Sequence, residues 1–342
     1  MMKSKVLSNS DKGKKGKNKA VYNNGFDDRK GYYNVTAGDH INYRYEIKKM
    51  IGKGRYSKVY LATDHKYKGG KRVILKIIRN KTLMDPKLTG ELYNLRILSA
   101  QIDRNDADVS SVTAMPSYHN VIQVKDYFKF RSHDILVFPY IGHMTLSEYL
   151  STVNHAGCNI RYVRAIGIQL LDALAFLREK SIVHADLNPS NIILADIGKI
   201  NLVKIVLVDF GSSIRNNSKD RSHNAALNII QQTSPNRAYI APEILVGKIC
   251  IYIYIYLKLS YVSILGMPYS FGMDMWGLGC ILAELRLGHP LFFGETNHDQ
   301  LLAIAECLGD MEKTFSMAIP PDISNLILHR LINSIYYVSN RI

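Results

Sequence analysis

Three oxygen-bearing side chains, Asp186, Asn191 and Asp209, lie within Ser181–Gly211, and their types and spacing suit phosphoryl transfer. The stretch reads S-I-V-H-A-D-L-N-P-S-N-I-I-L, a short variable insert, then V-K-I-V-L-V-D-F-G. Its two apolar runs predict two short strands, with a polar loop before the first and a D-F-G turn after the second. That arrangement brings the three side chains to one spot. One carboxylate can then orient and deprotonate an attacking hydroxyl, while a carboxamide and a second carboxylate offer hard oxygen donors to Mg²⁺. Aspartates beside turns often only cap backbone N–H groups. D-x-x-x-x-N and D-F-G each arise by chance, and their joint occurrence in this order carries the reading.

Lys76 lies in the run V-I-L-K-I-I, where a lone ammonium is costly to bury without an anionic partner. A nucleotide phosphate together with a carboxylate would serve. Glu91 is the candidate carboxylate: it opens the pattern E-L-Y-N-L-R-I-L, in which Leu92, Leu95 and Leu98 recur at helical spacing. Upstream, Gly52-Lys53-Gly54-Arg55-Tyr56-Ser57 joins two strand-like runs, Tyr45–Ile51 and Lys58–Thr63. Glycines in such a loop let backbone N–H groups approach phosphate without side-chain interference. A surface Lys and a surface Glu are the bland alternative, which the glycine loop disfavours. No G-x-x-x-x-G-K-[ST] occurs, which argues against a P-loop nucleotidase.

The elements that must position these residues are legible in outline. Asp134–Phe138 reads as a strand. From Ile160 to Lys180, Val163, Ile166, Leu170, Leu174 and Leu177 step by three or four and predict a long helix with one core-facing stripe. Residues 23–46 mix turn formers with aromatics without a period, and read as an ordered loop. Ser212–Pro235 is polar and aperiodic.

H-A-D-L-N-P-S-N at His184–Asn191 resembles the catalytic loop of protein kinases, H-R-D-L-K-P-E-N, and Val208–Gly211 resembles their metal-binding D-F-G. Tyr239–Glu243, Y-I-A-P-E, is similar to the kinase Y-R-A-P-E, and Met267–Leu287 to the D-x-W helix, in which Asp274 would buttress the catalytic loop. The fold implied is α+β and two-lobed, with a β-rich small lobe and a mainly helical large lobe. The resemblance further implies ATP and Mg²⁺ as cofactors, Asp186 as the base, and Asn191 and Asp209 as metal ligands. ATP would be held by Ile51, Gly52, Gly54, Val59, Lys76, Glu91, Phe138, Pro139 and Ile141, with Phe138 as gatekeeper and Ile141 donating its N–H to adenine. Asn188 stands where kinases carry the lysine that meets the transferred phosphate, and Asn236 where a hydroxyl residue bridges that lysine and the base.

Phe26-Asp27-Asp28, Tyr32-Tyr33 and Asp39-His40-Ile41 resemble, in matching order, the box that precedes the kinase domain in the DYRK family of the CMGC group (dual-specificity, tyrosine-regulated kinases). K-I-I-R-N-K at Lys76–Lys81 and D-Y-F-K-F-R-S-H at Asp126–His133 resemble the DYRK small lobe. The box would pack on that lobe and assist self-phosphorylation. Thr233 takes the place of the family's activating tyrosine and Gln231 that of its partner, so phosphorylated Thr233 or Ser234 would pair with Arg237. Ile240 replaces the arginine associated with a proline after the target residue, and Ala185 the activation-related arginine. A serine/threonine protein kinase is the leading reading. A nucleotide-binding or scaffolding module with little transfer is the second, and a basic nucleic-acid-binding protein, resting on charge alone, is the third.

The 342 residues divide as a basic tail, 1–20, a DYRK-box-like segment, 21–43, a small lobe, 44–138, and a large lobe, 139–342. A net charge of +15 draws anions in general, and seven lysines against Asp11 make residues 1–20 a solvated tail. Four cysteines without C-x-x-C suggest neither a disulfide framework nor a zinc site, and with no charged-then-apolar leader they predict an intracellular protein, in the nucleus and/or cytoplasm. The expected partners are protein substrates and ATP, with no membrane and only nonspecific nucleic-acid contact, for a monomer.

Two stretches depart from this pattern. Residues 249–267 alternate isoleucine with tyrosine, a sticky strand-prone run that an alternating T/A nucleotide tract would encode, and they read as an insertion or a retained intron. After Gly309 no W-D-P-x-x-R occurs, so the large lobe is expected to be truncated and Glu243 to lack its arginine.

Overall fold

The computed structural model describes residues 22–54, 56–80, 86–99, 117–142, 144–196, 203–216, 236–245 and 270–309. The basic tail, Gln231, Thr233, Ser234, residues 249–267 and the chain after 309 lie outside the described residues.

The small lobe is an antiparallel sheet of β1 (His40–Ile41), β2 (Tyr45–Lys53), β3 (Ser57–Asp64), β4 (Lys71–Ile78), β7 (Asp126–Phe130) and β8 (His133–Pro139), in the order β1-β2-β3-β4-β8-β7. Alternation fixes its faces. In β4 Val73, Leu75 and Ile77 are fully buried or nearly so, and they join Tyr45, Ile47, Ala62, Ile135 and Val137 in one core. The strand pair around the glycine loop extends beyond its sequence bounds, because Gly52 and Lys53 still pair with Val59 and Lys58. Helix α1 (Pro86–Ser99) begins before Glu91, one turn earlier than the apolar pattern suggested.

The large lobe carries a second sheet, in which β6 (Val121–Ile122) runs parallel to β12 (Lys204–Leu207) and joins the antiparallel β5 (Ser117–Tyr118), β11 (Ile192–Asp196) and β9 (Met144–Thr145). Helix α2 (Leu146–Thr152) starts in a capping box made by Thr145 and Glu148. Helix α3 (Ile160–Glu179) buries Val163, Ile166, Leu170, Leu174 and Leu177, the stripe read from the sequence. It packs beside β12 and α4 (Gly272–Leu287). The short strands β10 (Ile182–Val183) and β13 (Ile214–Arg215) pair across the catalytic loop, and α5 (Asn297–Leu308) follows a Thr296–Asp299 capping box. Helix α4 ends on Gly288 at φ 87°, and a Cβ there would lie 1.7 Å from the His155 carbonyl, so only glycine closes this helix.

One apolar core crosses between the lobes. Leu95 and Leu98 of α1, Leu136 of β8 and Phe210 of D-F-G pack with Leu170, Leu174 and Leu207. The expected two-lobed α+β architecture is the one observed. Among the described residues no helix is long and apolar enough to cross a membrane.

Candidate active site

Strand register carries four positions across the small lobe in a single row: Gly52 opposes Val59, Val59 opposes Lys76, and Lys76 opposes Leu136. Directly opposed residues point to the same face of a sheet, so Val59 and Lys76 share a face. On it, Lys76 Nζ donates to Glu91 Oε1 of α1 at 2.6 Å and to Asp209 Oδ1 at 3.0 Å. Three segments far apart in sequence are thus joined by one ammonium.

The triad is graded in exposure, with the side chain of Glu91 at 4%, Lys76 at 12% and Asp209 at 51%. Burial works against the Lys76 charge, but Asp209 and Glu91 outweigh it and raise the ammonium above its ordinary range. Burial pushes the Glu91 carboxyl up against the pull of Lys76. Lys76 holds the half-open Asp209 below the usual carboxylate range. Asp209 sits at φ 63°, with its Oδ1 also accepting from the Gly211 N–H. A Cβ on Gly211 would approach that oxygen to 3.1 Å and Lys76 Nζ to 3.6 Å, so glycine leaves room for the triad.

The catalytic loop is held from beneath. Asp274, buried in the first turn of α4, accepts from the N–H groups of His184 at 2.7 Å and Ala185 at 2.9 Å. These bonds fix Ala185 in the left-handed region at φ 65°, a conformation that costs a non-glycine residue about 1–2 kcal/mol. Burial raises the Asp274 carboxyl, with His184 and the two N–H donors pulling the other way. His184 Nδ1 accepts from the Asp186 N–H at 3.3 Å, so the ring donates its Nε2–H to the Val208 carbonyl at 3.1 Å. Its ring meets Phe210 edge to face. The histidine therefore stitches the catalytic loop to the D-F-G turn.

Two carboxamides orient Asp186. Asn188 Nδ2–H donates to its carbonyl at 2.9 Å and its Oδ1 at 3.2 Å, and Asn191 Nδ2–H to the same carbonyl at 2.8 Å and its Oδ2 at 3.2 Å. The other end of Asn188, 1% exposed, accepts from the Ser190 N–H and caps the short turn Pro189–Asn191. In place of a mobile cation, this chain has a fixed neutral clamp. The Asn191 amide nitrogen is spent on Asp186, which leaves its oxygen as a donor. That oxygen and the second carboxylate oxygen of Asp209 are hard donors of the kind Mg²⁺ takes.

Of the other sequence candidates, Phe138 and Ile141 pack against the main core, and Phe138 and Pro139 oppose Ile74 and Val73. Gly52 and Gly54 meet only ordinary contacts where a Cβ would stand, so the protein's own packing does not demand glycine there. Ile51 is exposed. Arg237 opens the turn Arg237–Tyr239 and makes no ion pair among the described residues. Asp186, Asn236 and Asp274 line, together with Leu187, Ile240 and Ile244, a small pocket of mixed polar and apolar character. Burial raises Glu243, which meets no cation among the described residues. Tyr239 donates to Glu284.

Three further contacts reach this region, two of them from the box that the resemblance placed on the small lobe and one, from Asn94, that left no pattern in the sequence. Tyr32 of the N-terminal segment donates its hydroxyl to the Gly54 carbonyl at 2.9 Å, tying that segment to the glycine loop. Asp27 of the same segment accepts from His133 Nε2 at 2.8 Å and from Asn80 at 3.1 Å. In α1, Asn94 donates to Ser213 Oγ at 2.9 Å, just past D-F-G.

This geometry agrees with what the chain is similar to. The protein kinase domain family matches residues 45–338. The chain belongs to the protein kinase family. Within it the relatives are of the DYRK branch. Dual specificity tyrosine-phosphorylation-regulated kinase 4 of Homo sapiens is 36% identical over 284 residues, covering 83% of this chain and 46% of that protein. Dual specificity tyrosine-phosphorylation-regulated kinase mbk-2 of Caenorhabditis elegans is 35% identical over 287 residues, covering 84% and 29%. Probable serine/threonine-protein kinase dyrk2 of Dictyostelium discoideum is 34% identical over 297 residues, covering 87% and 27%. The chain spans less than half the length of these relatives.

Proposed function

We propose that this chain transfers the γ-phosphate of ATP to serine and threonine hydroxyls of proteins. The observation that carries the reading is the convergence of Glu91 and Asp209 on Lys76, beside an aspartate whose two carboxylate oxygens are each met by an amide. Asp186 orients the acceptor hydroxyl and takes its proton. Lys76, fixed by Glu91, anchors the α- and β-phosphates, and the loop of Ile51, Gly52 and Gly54 with Val59 covers them. Phe138, Pro139 and Ile141 border the adenine. Asn191 and Asp209 would hold Mg²⁺, which when bound neutralises phosphate charge. Asn188 acts through Asp186 as a positioning residue.

Self-phosphorylation at Thr233 or Ser234 would give Arg237 its anion. The division into a small lobe at 44–138 and a large lobe from 139, a monomeric state and an intracellular setting go with this reading.

The test is transfer of labelled γ-phosphate to a protein substrate. We expect Mg²⁺-dependent labelling that Asp186→Asn lowers by about 10²–10⁴-fold, the range for loss of a general base. One observation favours a second reading, a nucleotide-binding module with little transfer: Asn188 brings no positive charge to the place where negative charge develops. Nucleotide binding without labelling would establish it.

A further inference from the structure

At the opposite end of β2 from the glycine loop, two imidazoles and a carboxylate meet. His40 of β1 and Glu46 of β2 are register partners, and such cross-strand neighbours lie on one face. His65 follows β3, and its N–H bonds to the Arg44 carbonyl at 3.1 Å. Three different segments are therefore set by backbone pairing, before any side-chain contact is counted.

The side chains complete a tripod. One ligand-type atom from each of His40, Glu46 and His65 lies within 4.8 Å of the other two. His65 Nε2 is 2.8 Å from Glu46 Oε2, and the two rings stack with centroids 5.6 Å apart. His40 Nδ1 faces the Gly38 carbonyl at 3.2 Å. A carbonyl only accepts, so Nδ1 carries the proton and Nε2 the lone pair. A backbone carbonyl on the far ring nitrogen is the outer support that metal-bound histidines use. The other Glu46 oxygen accepts from Lys48 at 2.6 Å, which leaves Oε2 facing His65.

We propose that His40, Glu46 and His65 bind a zinc-type transition-metal dication, stapling the N-terminal edge strand β1 to the small-lobe sheet. Imidazole with one carboxylate selects Zn²⁺, Cu²⁺ or Ni²⁺ over Mg²⁺ and Ca²⁺, which take oxygen sets. Tetrahedral bonds of about 2.1 Å need ligands about 3.4 Å apart, so closure from the observed separations takes small rotations of exposed side chains. On binding, the His65 proton moves from Nε2 to Nδ1 while the ring stays neutral, and water fills the fourth position.

The experiment is a calorimetric titration of the chelator-treated full chain with Zn²⁺ at about pH 7.5, where imidazole is mostly neutral. A site with one equivalent of Zn²⁺ is expected, weakened about tenfold or more in each of His40→Ala and His65→Ala, since even outer-shell losses reach that size. Lys48→Ala should keep it. Zn²⁺ should also raise the melting temperature of the parent chain and not of His65→Ala, whose fold is checked by circular dichroism without metal. Absence of binding, affinity unchanged in His65→Ala, or binding abolished by Asp209→Asn instead would overturn the proposal.

Discussion

Asn188 stands where protein kinases carry a lysine, and its side chain is tied to both Asp186 and Ser190. Its amide nitrogen holds Asp186 and its oxygen caps the turn that positions Asn191. Asn188→Ala removes all three bonds, and the loss of roughly one hydrogen bond to a charged group, about 1.5–3 kcal/mol, should appear in kcat with little change in nucleotide affinity. Asn188→Lys restores a cation but gives up the Ser190 cap, and turnover should not rise; faster turnover would show that the clamp does not compensate for the lost charge. Steady-state kinetics with separate nucleotide-binding titrations decide both. At this scale the sequence singled out Lys76, Glu91, Asp186, Asn191 and Asp209, because a charge in an apolar strand is costly without a partner and ordered carboxylates near turns seldom recur together by chance, and the structure joins Lys76 to Glu91 and Asp209, and Asn191 to Asp186. It hid the clamp, since an asparagine in a loop reads the same whether it caps, bridges or faces water.

Helices and strands were legible where a period was sustained. The stripe of α3 matched its buried face, whereas the onset of α1 and the extension of β2 through Gly52 were set by turns and pairing that apolar spacing does not record. The N-terminal segment had no period at all. Its order comes from polar contacts across long sequence distances, such as Asp27 with His133, 106 positions apart. In that contact the carboxyl of Asp27 is held low by Asn23, His133 and Asn80 against the effect of burial. Tyr32 extends this segment to the glycine loop. Tyr32→Phe should therefore loosen the loop and weaken ATP binding by a few-fold, up to about tenfold for one hydrogen bond, while kcat at saturating ATP stays close to that of the parent. A fluorescent-nucleotide titration checks this, and an unchanged affinity would show that Tyr32 does not support the loop.

Across the whole molecule, stability depends on charge networks as well as on the shared core. Asp64, with a fully buried side chain, takes Arg44 in two bonds of 2.7 and 2.8 Å and Lys125 at 3.2 Å, while Asp126 receives Arg44 and Tyr45. Burial opposes the Asp64 charge, but these partners hold its carboxyl down at about 2. A carboxyl lowered in the folded state stabilises fully above its unfolded value, near 3.9, and loses that contribution as pH falls through about 2. Arg44→Met should cost about 2 kcal/mol at neutral pH and move acid unfolding to higher pH, as urea melts across a pH series would show.

Asp186 acts in transfer, in the proposed reaction, while Lys76, Glu91 and Asp209 act in nucleotide and metal binding. The most direct test of that division is a single-turnover measurement of γ-phosphate transfer to a protein substrate, with nucleotide affinity measured on the same samples of the parent chain and Asp186→Asn. The expected result is Mg²⁺-dependent transfer by the parent and near-complete loss in Asp186→Asn at unchanged nucleotide affinity. A parent chain that binds ATP and transfers nothing, or an Asp186→Asn chain that transfers at the parent rate, would contradict it.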